Sequence, residues 1–128
     1  MRFLLDTHVL IWWSSSSEKL SANVYNLIND TSNTLVFSIA SVWEMQIKLQ
    51  AGKLNLSSPL PTLLETQKQV NNLQLLPIEL SHIYALDGLP NHHRDPFDRI
   101  LIAQSIVEKI TLLSIDAVFD IYPVQRIW

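Results

Sequence analysis

Short runs of strand-forming apolar residues recur along this chain without the polar alternation of a sheet face exposed to water, and helical patterns separate them. Arg2–Leu5 and Thr34–Phe37 are the clearest runs, and Leu73–Ile78, Thr111–Ser114 and Val124–Trp128 are similar. Runs apolar on both faces need cover on both faces, so they predict buried strands with helices above and below. The clearest helical pattern is Ser41–Ala51, where Val42, Met45 and Leu49 recur at i, i+3 and i+7 and Gly52 supplies a stop. A second pattern runs from Phe97 to Ile110, with Ile100, Ala103, Val107 and Ile110 on one stripe. The preceding Asp95-Pro96 suits a helix start, because proline fits the first helical position. Glu18–Asn29 and Pro61–Val70 are weaker helical stretches, and Ser14–Ser17 reads as a loop. Strands alternating with helices predict an α/β fold: a three-layer α/β/α sandwich around a parallel sheet of about five strands with right-handed crossovers. Ligands of such sheets collect at the carboxyl ends of the strands, where strand order reverses.

Composition narrows the function classes. With 128 residues, 48% hydrophobic, 16% charged and only 2 glycines, the chain predicts one well-packed domain over residues 1–128. No cysteine is present, which excludes disulfides, thiolate metal sites and a cysteine nucleophile, and suits a reducing cytoplasm. The N-terminal residues lack the pattern of a signal peptide, and no apolar stretch approaches the ~20 residues of a membrane span. A cytoplasmic location away from membranes is therefore expected. The formal net charge of −3 argues against a basic coat for nucleic acid. It leaves room for a nuclease, because cations held by acidic side chains can meet a phosphate. A nucleotide-binding Rossmann domain fails, since Gly52 and Gly88 are the only glycines. A receiver domain would need an aspartate ending its third strand and a lysine after its fifth. Here those strands run into Pro77-Ile78-Glu79 and Arg126-Ile127-Trp128.

Four acids fall at strand ends or helix starts. Asp6 ends the first strand, Glu44 lies in the first turn after the second, Asp98 opens the late helix, and Asp116 follows the fourth strand. In a parallel sheet these positions share one edge and predict a single acidic cup. Crowded carboxylates repel, and a divalent cation relieves the repulsion. Oxygen donors without cysteine or histidine suit Mg²⁺ or Mn²⁺, which can polarise a phosphoryl oxygen and activate water against a phosphodiester. Each acid also fits a structural role. Glu44 completes a Ser41-Val42-Trp43-Glu44 capping box and stands four residues before Lys48. Asp95 fits an N-cap, Asp98 complements the helix dipole, and Asp116 can cap an Ala117–Asp120 turn. Asp6 is the hardest to explain structurally, because an acid ending a buried strand is costly unless paired or bound to metal.

The blocks carrying these acids are Phe3-Leu4-Leu5-Asp6-Thr7-His8-Val9-Leu10-Ile11-Trp12, Ser38-Ile39-Ala40-Ser41-Val42-Trp43-Glu44, His93-Arg94-Asp95-Pro96-Phe97-Asp98-Arg99-Ile100-Leu101-Ile102-Ala103-Gln104 and the looser Leu112-Leu113-Ser114-Ile115-Asp116. In this order they resemble the PIN-domain family, particularly its VapC-like toxins. The resemblance implies the family's fold and Mg²⁺- or Mn²⁺-dependent endonucleolytic cleavage of RNA. It places Asp6, Glu44, Asp98 and Asp116 at the catalytic, metal-holding positions and Asp95 as a supporting or capping residue. Thr7 and Ser114 are implied to hydrogen-bond the site. An antitoxin partner, with a basic side chain in the cup, and a homodimer are further implications. Trp12 and Trp13 are candidates for those surfaces or for ordinary core packing. Arg94, Arg99 and Lys48 flank the cup and are candidate contacts to RNA phosphates. His92 and His93 read as loop residues, and His8 follows the family pattern without an assigned role. A catalytically silent interaction module of the same fold is the alternative reading.

Overall fold

The computed structural model describes residues 1–128. In chain order it comprises β1 (Arg2–Leu5), α1 (Thr7–Ser15), α2 (Ala22–Asn29), β2 (Thr34–Ser38), α3 (Ile39–Gln50), α4 (Leu60–Asn71), β3 (Gln74–Leu76), α5 (Leu80–Ala85), α6 (Pro96–Glu108), β4 (Thr111–Leu113) and β5 (Arg126–Ile127). Short 3₁₀ turns occupy Ser17–Lys19, Leu86–Gly88 and Ala117–Ile121. All strand pairs are parallel, in the order β3-β2-β1-β4-β5. β1 is central, with Leu5 paired to Phe37 of β2 on one side and to Leu113 of β4 on the other. The order therefore reverses around β1, and the carboxyl ends of β1, β2 and β4 share one edge.

The strands are apolar on both faces, and each face has its own core. Phe3, Leu5, Leu35, Phe37 and Leu113 pack with Val9, Leu10, Val24, Ile28, Met45 and Leu63 from the first four helices. Leu4, Val36 and Leu112 point the opposite way, against Leu101, Ile102, Phe119 and Tyr122. Alternate residues of the same strand feed different layers, which is the α/β/α sandwich that the uninterrupted apolar runs require.

Several boundaries differ from the sequence expectation, each for a local reason. β3 stops at Leu76 because Pro77 has no N–H to extend the ladder. α2 begins at Ala22, after Ser21, whose hydroxyl accepts from Val24 N–H at 3.0 Å; Glu18 belongs to the preceding 3₁₀ turn. α3 begins at Ile39, capped by Ser38, whose Oγ accepts from Ala40 N–H at 3.0 Å. The capping box expected from Ser41 does not form: Ser41 is buried inside the helix with its hydroxyl unpartnered, and Glu44 lies in the second helical turn. Gly52, at φ +71°, provides the expected stop. α6 ends at Glu108, since Lys109 turns left-handed at φ 53° and sends Ile110 into the core. Neither α1 nor α5 has a counterpart among the sequence-predicted helices, and α1 runs on through Ser14 and Ser15 of the expected Ser14–Ser17 loop, whose hydroxyls donate back to Ile11 O at 2.9 Å.

Candidate active site

The acids share one cleft at the sheet edge, where the ligand atoms of His93, Asp95 and Asp98 all lie within 4.8 Å of one another and Asp6, Glu44 and Asp116 stand farther apart on the wall. Asp6, Glu44, Asp95, Asp98 and Asp116 line one cleft of about 410 Å³, with His8, Trp12, Lys48 and Ile115 completing its wall. Asp6 follows β1 directly and is pinned between two neighbours. Thr7 N–H donates to Asp6 Oδ1 and Ser114 Oγ donates to Asp6 Oδ2, each at 2.7 Å. Asp116 N–H in turn donates to Ser114 Oγ at 3.0 Å, so the loop after β4 is tied to the end of β1. Thr7 also holds Glu44, its Oγ1 donating to Glu44 Oε1 at 2.7 Å. The second oxygen of Glu44 faces Lys48 Nζ at 3.3 Å. Thr7 and Ser114 thus hold Asp6 and Glu44 from behind, while both acids keep a place on the cleft wall.

Asp95 and Asp98 divide the start of α6 between them. Asp95 Oδ1 accepts from Phe97 N–H at 2.9 Å and Asp98 N–H at 3.4 Å, as an N-cap should. Asp98, one turn in, is free of backbone duty and instead faces His93 Nε2 at 2.6 Å. Asp116 is exposed and caps the following 3₁₀ turn through Val118 N–H at 3.0 Å.

Burial, and to a lesser degree charge crowding, raises the proton affinities of the cleft acids. Burial pushes the Asp6 carboxyl up from its ordinary value, with Glu44 adding to the rise, against the bonds from Ser114 and Thr7 and the neighbouring His8. Asp98 is pushed up to about 6, again chiefly by burial, with Asp95 and Asp6 contributing repulsion and the His93 bond pulling down. A cleft whose acids resist ionisation in water is one that a cation would relieve. The donors are chiefly carboxylate oxygens, with the imidazoles of His8 and His93 beside them and no thiolate, a set that fits a divalent ion such as Mg²⁺ or Mn²⁺.

The basic candidates separate in placement. Lys48 lines the cleft beside Glu44, and Arg94 is exposed on an adjoining groove with Ile47, Lys48, Asp95 and Phe97. Arg99 turns back, its Nη1 donating to Pro90 O at 3.0 Å and His93 O at 3.3 Å, so its guanidinium anchors the loop before α6. Trp12 is partly buried, packs edge-on to Trp128 at 6.0 Å and presents part of its surface to the cleft; Trp13 joins the core. His93, read from the sequence as a loop residue, does lie in the loop before α6 but stands against Asp98 at the site. A signal was present, five residues before Asp98 across the capping turn, but such a spacing has meaning only once the loop's path is known.

A parallel α/β/α sandwich with acids gathered at the ends of its strands defines a class of protein, and the sequence profile of the PIN domain matches residues 3–124. The chain belongs to the PIN domain family. Its fold is shared by a chain of VapBC2 from Rickettsia felis, solved bound to a DNA fragment from their promoter, with TM-score 0.71 and 16% identity over 99% of this chain and 98% of that one. A chain of DNA-bound VapBC from Salmonella typhimurium gives TM-score 0.66 and 14% identity over 99% and 97%. One from a toxin–antitoxin complex of Klebsiella pneumoniae gives TM-score 0.54 and 14% identity over 89% and 86%. No curated protein matches the sequence.

Proposed function

We propose that this chain is a divalent-metal-dependent endoribonuclease, the toxin of a toxin–antitoxin pair, acting in the cytoplasm. The observation that carries the reading is the meeting of Asp6, Glu44, Asp98 and Asp116, drawn from residues far apart in the chain, on one cleft at the sheet edge. These four residues would hold Mg²⁺ or Mn²⁺. When bound, such an ion offsets the charge of a phosphodiester and lowers the pKa of water at the site. The chain's own residues supply the rest. Thr7 and Ser114 fix both oxygens of Asp6, Thr7 fixes Glu44, and the Asp95 cap orients the first turn of α6 that carries Asp98. Lys48 and Arg94, on the cleft and its adjoining groove, meet RNA phosphates, with Arg99 shaping the loop that carries Arg94.

The partners follow from the same surfaces. An acidic cleft walled by Trp12 suits a basic side chain offered by an antitoxin, which blocks the site by neutralising it. A homodimer is supported by a separate feature, a broad apolar face on α3 and α5 that carries Trp43, Ile83 and Tyr84 in water.

The purified chain is expected to cleave RNA with Mg²⁺ or Mn²⁺ and to stop in EDTA. Asp6→Asn and Asp98→Asn should each lower the cleavage rate by at least about a thousandfold while leaving the circular dichroism spectrum unchanged. Cleavage by both variants at the wild-type rate in EDTA would sink the proposal.

A further inference from the structure

The loop before α6 brings a nitrogen donor to the acidic cleft. His93 Nε2 and the carboxylate oxygens of Asp95 and Asp98 present ligand atoms all within 4.8 Å of one another. Asp95 and Asp98 both line the cleft, whereas His93 reaches them from outside the helix. Its position is held from two directions. The ring meets Asp98 at 2.6 Å, and the Arg99 guanidinium clasps the backbone carbonyls of Pro90 and His93 at 3.0 and 3.3 Å. Ligand bonds of about 2.0–2.2 Å hold adjacent donors of one ion roughly 3 Å apart and opposed donors roughly 4 Å apart. The 2.6 Å contact lies below that range and the 4.8 Å limit above it, so the partly exposed imidazole has to rotate away from Asp98 to admit an ion among the three donors.

We propose that His93 supplies a nitrogen ligand to the cation of this cleft, alongside Asp98 and Asp95, and so tilts the site towards Mn²⁺ over Mg²⁺. The inference rests on the metal-dependent reading above and adds to it two donors, His93 and the oxygen of Asp95 not used in the cap, and a preference. Mg²⁺ demands hard oxygen ligands in near-ideal octahedral geometry and gives up water reluctantly. Transition ions accept imidazole more readily, so replacing one oxygen or water by a fixed nitrogen costs Mg²⁺ more than Mn²⁺. Were His93 only an ion-pair partner of Asp98, it would compete with both ions alike, and its removal would strengthen both.

The test is calorimetric titration of the metal-free protein with MnCl₂ and MgCl₂, joined to electron spin echo spectra of the bound Mn²⁺. Wild-type protein, His93→Gln, His93→Ala, Asp6→Asn and His8→Gln are compared, the last because His8 is the imidazole that lines the cleft itself. Modulation from a directly bound nitrogen is expected in the wild type and in His8→Gln and is lost in both His93 variants. Mn²⁺ affinity should fall about tenfold or more on losing His93, and Mg²⁺ affinity by less than about threefold. Absence of nitrogen modulation in the wild type, its persistence without His93, or equal effects on the two ions overturns the inference while leaving the nuclease reading intact. Failure of the wild type to bind either ion, or wild-type metal affinity in Asp6→Asn, overturns the nuclease reading itself.

Discussion

At the scale of single residues, the cleft stores an electrostatic cost that shows in the stability of the metal-free protein. Asp98 has its carboxyl pushed up from 3.8 to about 6, so between those values the folded chain holds a proton that the unfolded chain has released. Stability from this group is therefore greatest below pH 4, falls as pH rises through 6, and levels off above it. Asp6 is shifted in the same direction. Asparagine cannot ionise and keeps a group able to bond His93. Metal-free Asp98→Asn should thus melt about 2–4 °C above wild type at pH 7.5 and equal it near pH 4. Saturating Mg²⁺ or Mn²⁺ should raise the wild-type melting temperature and leave the variant nearly unmoved, because the ion binds the ionised native site. Scanning calorimetry at the two pH values, with and without metal, decides the matter; a variant less stable than wild type at pH 7.5 without metal would show that Asp98 is held by favourable contacts.

At the scale of elements, legibility followed burial. β1 and β2 were plain because a strand covered on both faces shows an unbroken apolar run, and α6 because Asp95-Pro96 marks its first turn. α5 left no such trace: its six residues are too few for a helical period, and His82 rather than an acid closes its first turn, Nδ1 accepting from Glu79 N–H at 3.0 Å. The convergence of Asp6, Glu44, Asp98 and Asp116 was legible from parallel topology alone, since strand ends must share an edge. The mistaken capping box at Ser41 arose because two serines, Ser38 and Ser41, offered caps, and only the path of β2 selects the first. Asp95 gives the element-scale prediction. Asp95→Ala, which leaves Phe97 and Asp98 N–H without their acceptor, should cost about 1 kcal/mol in urea unfolding, whereas Asp95→Asn should cost under about half of that. Equal losses would mean that charge at the helix start matters more than the cap bond.

At the scale of the whole molecule, the unresolved demand is the apolar face opposite the charged wall of α3. Ile39, Trp43 and Ile47 stand at i, i+4 and i+8, and Ile78, Leu80, Ile83 and Tyr84 continue the surface across α5, with Trp43 60% and Tyr84 68% exposed. Between them lies a groove of about 250 Å³ lined by Ala40, Trp43, Ile78, Ile83, Leu86, Pro96, Phe97 and Ile100. Together these side chains make an exposed apolar surface of the kind that forms the centre of a standard interface, to which each partner contributes ~800 Å². None of them is charged, so a second copy of the same face meets no like-charge repulsion, as an isologous contact about a two-fold axis requires. The wild-type chain should therefore sediment as a dimer at micromolar concentration. Trp43→Ala should raise the dimer dissociation constant about thirtyfold, the loss of roughly 2 kcal/mol at an aromatic anchor. Trp43→Glu combined with Ile83→Glu should give a monomer whose melting temperature no longer depends on protein concentration. If the wild type sediments as a monomer even at about 100-fold higher concentration than micromolar, the face belongs to another partner, and the proposed antitoxin becomes the ligand to test there by the same sedimentation measurement.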